Sequence, residues 1–471
     1  MIDNLEGTQL IQELLTDPDR FREQGWGFQL WEAGLPVETL RPLLKHNDRR
    51  VRREAVWVAS ELGHEARSLI HDAIPLIYDG DRDIQYSALE IVMVCSFAEN
   101  VDHFVHVVRS LQSDDKLIRY LAMFLVSNAD ASRLEAGIRL FGSPGSSDKR
   151  HKQGLSNLLK GKFILPKQVL MMIDDKEPLV RKYGTIAAKR LIKNFPELIV
   201  HAISSADPDV RHFSLKACHF TKNANHFVHV VRSLQNDDEL MRIFAMQFMS
   251  SADVSQLEAA ARLLGSSSSS DKQHKQGLNH LIKDELLEPE QVVKMINDNS
   301  PLVRKYGAIA ARRLIEKFPD LIANATLSVD RDVRKFSLKG CSFSENDNLF
   351  VHVVRSLQSD DEGIRVLVMH LMYKAYLSQL EAAARLLGSS RSDKLHSNGL
   401  HHLLKGSLLN PEQVLRMIDD KEPLVRRYGA IAAKRLIQKF PELIAHAAGS
   451  TDIDVCKFSL KEYSFVENEE T

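Results

Sequence analysis

Two His-x-x-His segments open the chemical reading of this chain. His103 with His106, and His226 with His229, would stand one helical turn apart, and imidazoles so placed can share a zinc or iron ion. The third equivalent segment has Leu349 where its first histidine would be, and no carboxylate recurs in step. No metal or cofactor is therefore expected, and the histidines read as surface or capping groups. His64-Glu65 occurs once, whereas a diiron site needs several such pairs. The same segments offer cationic chemistry. His106 with Arg109, His229 with Arg232, and His352 with Arg355 are each three apart, hence on one helix face. They would form a spaced row of cations for a partner, unless a recent duplication copied them along with everything else. Phe28 and Trp31 also share a face and form a candidate aromatic anchor for an interface. The pairs Glu135–Arg139, Glu258–Arg262 and Glu381–Arg385 are i, i+4 neighbours and read as solvated structural charges. There is no Gly-rich phosphate loop and no Cys/His or Ser/His/Asp set with a recognisable spacing. Catalysis is not expected.

The elements that must position these groups are repeated. Phe-Val-His-Val-Val-Arg-Ser-Leu-Gln begins at Phe104, Phe227 and Phe350, and 227 − 104 and 350 − 227 both give 123. Such a period means a modular array rather than one globular core. Smaller units lie inside each copy. An apolar-Arg pair recurs at Ile118-Arg119, Val180-Arg181, Val210-Arg211, Met241-Arg242, Val303-Arg304, Val333-Arg334, Ile364-Arg365 and Val425-Arg426. The steps 119 to 181, 181 to 211 and 211 to 242 are 62, 30 and 31 residues. One copy is then four units of about 31 residues, a length that fits two helices and two turns. Within Pro178 to Leu191 the apolar or small positions are 180, 184, 187, 188 and 191, one face of a helix. Pro178, Pro301 and Pro423, like Pro166, Pro289 and Pro411, stand where helices should begin.

The predicted organisation is one continuous stack. Residues 1–103 are a diverged, incomplete copy and cap, 104–226, 227–349 and 350–471 are three copies, and the last carries the second cap. If Phe28 and Trp31 are not an anchor, they cover the bare end of the stack against residues 7 to 16. Lys plus Arg is 62 and Asp plus Glu is 63, so the formal charge of −1 gives no overall pull toward nucleic acid. The N-terminal residues lack a basic and apolar leader, and no apolar run has bilayer-spanning length. Cys95, Cys218 and Cys341 are themselves spaced by 123, too far apart in a stack to pair, which with Cys456 suggests reduced thiols in a cytoplasmic protein.

Asp207-Pro208-Asp209-Val210-Arg211 and Asp330-Arg331-Asp332-Val333-Arg334 carry an Asp-x-x-Val-Arg pattern at the start of one helix of the unit. The chain here resembles HEAT repeats, and its short unit is most similar to the HEAT-like repeats first described around phycobilin lyases. The resemblance implies an all-α, right-handed α-solenoid of about 15 helix pairs with a 123-residue super-repeat. It implies a concave wall, made by the second helix of each pair, that holds a partner. It also implies a ladder of arginines with acidic residues of adjacent units. The matching positions are Arg52, Arg119, Arg181, Arg211, Arg242, Arg304, Arg334, Arg365 and Arg426, and Gln85 and Cys456 interrupt the series. The expected function is a non-enzymatic scaffold for another protein, with a bacterial toxin-neutralising immunity protein as the specific form. Two alternatives are a nucleic-acid-binding solenoid resembling DNA glycosylases and an enzyme resembling the phycobilin lyases.

Overall fold

The computed structural model describes residues 4–23, 26–33, 36–95, 101–142, 145–161, 164–220, 223–265, 268–388, 391–405, 409–437 and 439–463. Every regular element among them is a helix. The chain forms two compact units, Met1–Thr221 and Lys222–Thr471.

Local chemistry explains where the helices start. Asp115, Asp207, Asp238, Asp330 and Asp361 sit in extended backbone just before a helix, and each carboxylate accepts hydrogen bonds from the first-turn amides. These are N-caps, and they satisfy donors that the helix itself leaves open. Where the cap residue is Glu177, Ser300 or Glu422, proline follows at the first helical position, where its missing N–H costs nothing. Near the N-terminus, Gly63 takes a left-handed φ of 57° just after the Arg49–Glu61 helix, a conformation that glycine adopts without strain.

In the first unit the helices pack as consecutive pairs. Phe104–Arg109 is followed by Lys116–Asn128, Ala131–Leu140 lies on Ser146–Leu159, Pro166–Ile173 on Pro178–Arg190, and Pro196–Ala202 on Pro208–His219. Pro178–Arg190 is the hub of this group. It also touches Lys116–Asn128, Ser146–Leu159 and Pro208–His219, and Lys182 through Ala188 are all buried. The second unit repeats the arrangement twice within itself. Pro301–Arg313 touches Glu239–Ser250, Ser269–Ile282 and Arg331–Ser342, and Pro423–Arg435 touches Glu362–Tyr373, Arg391–Leu404 and Ile453–Tyr463.

A helix with neighbours on every side must be thin. Gly184, Gly307 and Gly429 let each hub helix lie against the end of its own pair's first helix. A Cβ there would come within 2.6–2.7 Å of the backbone nitrogen of Ile173, Ile296 or Ile418. A second close approach seats the hub tyrosines. A Cβ on Gly154, Gly277 or Gly399 would fall 2.3–2.4 Å from the ring of Tyr183, Tyr306 or Tyr428. Those rings are fully buried, so they cannot swing aside.

This geometry makes Gly277→Ala an overpacking substitution that should cost about 1–3 kcal/mol, read by chemical denaturation of the intact chain. Gly80→Ala, at a position with nothing within 4 Å, should change stability by less than about 1 kcal/mol. Equal effects at the two positions would contradict the packing.

Candidate functional site

Where a second helix carries the repeated arginine, that residue makes the same forked contact. Its Nη1 donates to two successive carbonyls, five and six residues earlier, in the turn that precedes the helix. The pattern holds for Arg52, Arg119, Arg181, Arg211, Arg242, Arg304, Arg334, Arg365 and Arg426, at 2.7–3.1 Å throughout. Two carbonyls that face no helix partner are thereby satisfied by one planar group. Gln85 stands in an arginine position, and its Nε2 donates to the Asp79 carbonyl six residues back, keeping half of the fork. Cys456 has no group that could do so.

In eight of these, Arg52, Arg119, Arg181, Arg242, Arg304, Arg334, Arg365 and Arg426, the guanidinium also reaches a carboxylate at another helix start. Arg52 meets Asp79 at 2.8 Å, Arg334 meets Asp361 at 3.2 Å and Arg426 meets Asp452 at 3.3 Å. Arg119 reaches much further along the chain, to Asp209 at 2.6 Å, 90 residues away, and Arg242 reaches Asp332 at 2.6 Å in the same way. Arg365 binds Asp454 at 2.5 Å.

These three long-range pairs are the centres of buried clusters. Lys182 lies 3.2 Å from Asp209 and donates to the Leu111 carbonyl at 3.0 Å. Lys305 repeats this with Asp332 and the Leu234 carbonyl, both at 3.0 Å. In the third copy Arg427 takes the lysine's place, 2.7 Å from both Asp454 and the Leu357 carbonyl. Burial alone would raise the Asp209 carboxyl, but Arg119 and Lys182 outweigh it and hold it below the usual carboxylate range. The same balance lowers Asp332, with Arg242 and Lys305 as the cations.

A second buried network escaped the sequence reading. His151, His274 and His396 each hold, through Nδ1, the hydroxyl of the hub tyrosine 32 residues on, at 2.9–3.0 Å. His151 and His274 also meet Gln112 and Gln235 at 3.1 Å through Nε2. Burial pushes all three imidazoles down to about 4. The signal that could have revealed them was the shared His-to-Tyr interval in all three copies.

The residues proposed for partner contact fall in different settings. Arg109, Arg232 and Arg355 are exposed on first helices. Arg109 lies 5.7 Å from the Phe141 ring centre, Arg232 lies 3.9 Å from Asp271 and Arg355 3.2 Å from Asp393. His106, His229 and His352 are half-buried, and burial, followed by the adjacent arginine, holds each below the ordinary histidine value. At neutral pH the positive charge of this row therefore belongs to the arginines. His106 binds the Tyr78 hydroxyl at 2.8 Å, while the His103 ring packs edge-on against His71. The two rings of the first His-x-x-His pair thus turn to separate partners. Among the described residues no three His, Cys, Asp or Glu side chains converge as a metal site. Phe28 and Trp31 lie on the Trp26–Glu32 helix, and their side chains fall outside the described residues. Cys218 and Cys341 are buried free thiols, pushed up by burial to about 12, and Cys456 is free and half-buried. No helix among the described residues is long and apolar enough to cross a membrane.

No family model and no curated protein matches the chain. Solved structures match it at low identity. An engineered protein is 14% identical over 92% of this chain and 99% of its own, with a TM-score of 0.23. An importin beta structure is 11% identical over 98% of this chain and 77% of its own, with a TM-score of 0.31. The chain matched in a Kap95:Nup1 complex is 11% identical over 99% and 69%, with a TM-score of 0.25. Scores this low establish no common overall shape. The class is defined by the chain's own helices, which make an all-α fold of consecutively packed pairs within each unit.

The buried histidines give the fold a pH dependence of definite sign. Their folded values, about 4, lie below the unfolded value near 6.5, so the unfolded chain binds more protons in between. Stability is fully present above about pH 6.5 and falls toward pH 4, with each histidine adding up to about 1.4 kcal/mol per pH unit to the slope. His274→Asn should flatten the slope by one proton's share in denaturant titrations across that range. An unchanged slope would show that His274 does not titrate with unfolding.

Proposed function

We propose that this chain is a non-enzymatic scaffold that holds a protein partner. One observation carries the reading. In the second unit Phe343 and Tyr376 are 71% and 75% exposed, and a single side-chain amide ties the backbone beside one to the backbone of the other. The Gln379 Nε2 donates to the carbonyl of Ser342, next to Phe343, at 2.6 Å, and its Oε1 accepts from the Tyr376 backbone N–H at 3.1 Å. Two large residues so exposed, on backbone tied together by a buried side chain, add little to the core. They suit the anchors of a protein interface, where aromatic groups supply most of the affinity at little entropic cost. The same unit exposes Leu327 and Val329 at 80% and 81%. The near-neutral charge favours a protein over a nucleic acid as the partner.

Within this reading the partner is a toxic protein that the scaffold neutralises, a role supported by the resemblance of HEAT-like arrays to some bacterial immunity proteins. The free thiols of Cys218, Cys341 and Cys456 support a reducing, cytoplasmic setting.

The test uses the whole chain as bait in nuclease-treated lysate of its source organism, beside a Phe343→Ser, Tyr376→Ser double variant. Exposed-site changes of this kind should leave stability within about 1 kcal/mol. A single protein should be retained by the parent, lost by the variant and bound again when purified. Its expression alone should arrest growth, and coexpression with the chain should restore it. Equal retention by both baits, or capture that nuclease abolishes, would overturn the proposal.

A further inference from the structure

The cations of the first unit divide into two layers. Near the helix starts, Arg119, Lys182 and Arg181 are matched by Asp209 and Asp207. Seven residues, or two turns, further along the same two helices stand Lys189 and Lys216. Neither reaches a carboxylate among the described residues. Lys189 bonds the Ser127 hydroxyl at 2.9 Å and lies over the rings of Phe124 and Phe213, 4.0 and 5.3 Å from their centres. Lys216 lies over Phe124, Tyr120 and Phe220, at 4.7, 5.0 and 5.8 Å. The two ammonium groups share one ring and repel each other. Burial, then this repulsion, lowers Lys189 to about 8. Tyr120, Phe124 and both lysines remain partly open to water, and Phe220 is 64% exposed.

We propose that Lys189 and Lys216, with Tyr120, Phe124 and Phe220, form a binding site for an organic carboxylate that carries an aromatic ring. The carboxylate lies between the two ammonium groups and supplies the charge that the helix row lacks at this level. The ring of the ligand packs on the exposed face of Phe220. Ring faces attract lysine by about 0.5–2 kcal/mol, which holds the cations in place but leaves their mutual repulsion uncompensated. An oxyanion removes it through two charge-assisted hydrogen bonds.

The second copy of the repeat serves as an internal contrast. Adding 123 to each number gives Arg312, Lys339, Ile243 and Gln247 in place of Lys189, Lys216, Tyr120 and Phe124. Two aromatic walls are gone there, and Glu239 acts on Lys339. The larger Arg312 is admitted because Gly340 replaces Ala217; a Cβ on Gly340 would stand 2.7 Å from the Arg312 Nη1. A cation survives at this level of the second copy, but the aromatic cluster around it does not. The inference is independent of the aromatic pair in the second unit.

Site-resolved labelling of lysines with an acetyl ester, read by mass spectrometry on the intact chain, tests the site. The exposed Lys149 provides the reference and Lys339 the contrast. 2-Naphthoate, or a short peptide ending in a C-terminal phenylalanine, should slow labelling of Lys189 and Lys216 several-fold and leave Lys149 and Lys339 unchanged. Protection by free naphthoate assigns a small-molecule ligand, and protection by the peptide alone assigns a chain terminus as the source of the same chemistry. Phe220→Ser, at an exposed position, should abolish the effect, as should Lys216→Gln if circular dichroism shows that it folds. Absence of protection by either probe overturns the site. Equal protection by neutral 2-naphthalenemethanol or by inorganic phosphate also overturns it, since the site needs both the charge and the ring.

Discussion

One side chain does two jobs in eight of the helices, and the packing within each unit depends on it. The repeated arginine closes the turn before its own helix by holding two carbonyls, and its remaining nitrogens grip a carboxylate at the start of another helix. That carboxylate often has work of its own. Asp330 caps its helix through the amides of Asp332 and Val333 while it faces Arg304 at 3.6 Å. Turn, helix start and neighbouring unit are thus parts of one hydrogen-bonded array. Only a planar fork of five donors can meet carbonyls and carboxylate together; a lysine ammonium could not. Burying such charges is tolerable because each is matched, and breaking one buried pair typically costs about 3–5 kcal/mol.

This array dictates how the other layers are built. Because Arg119 reaches Asp209 across the hub helix, Lys116–Asn128 and Pro208–His219 must both lie close to Pro178–Arg190. The hub can be enclosed on all sides only if its residues are small, which accounts for Gly184, Ala187 and Ala188. Its one large ring, Tyr183, is seated against Gly154 and held by His151. With the charges near the helix starts matched, large apolar groups such as Phe220, Phe343 and Tyr376 project where helices end or begin. The recognition surfaces proposed above therefore lie at helix termini and turns.

Periodicity made much of this legible before any coordinates. The helical period around Pro178, the proline punctuation and the recurring apolar-Arg pair all depend on contacts a few residues apart, and local contacts leave local patterns. The partners of the ladder were less accessible. Asp79 and Asp361 lie 27 residues from their arginines, close to one unit length, but Asp209 and Asp332 lie 90 away, across two intervening helix pairs. His106, His229 and His352 read as cations from their type alone, since the sequence does not show how deeply they are buried. The paired lysines over aromatic rings were invisible for a related reason. Lys189 and Lys216 look like ordinary helix-surface charges until Lys116–Asn128 brings Tyr120 and Phe124 beneath them.

The most direct test of the ladder is a double-mutant cycle on Arg242 and Asp332, using Arg242→Lys, Asp332→Asn and their combination. Native-state hydrogen exchange of the Arg331–Ser342 amides reports each variant's local stability. If the guanidinium fork ties the two helices together, the loss in the double variant will fall short of the sum of the two single losses by a coupling of about 1–3 kcal/mol. Additive losses, within about 0.5 kcal/mol, would show that the helices pack without the fork and would contradict the account.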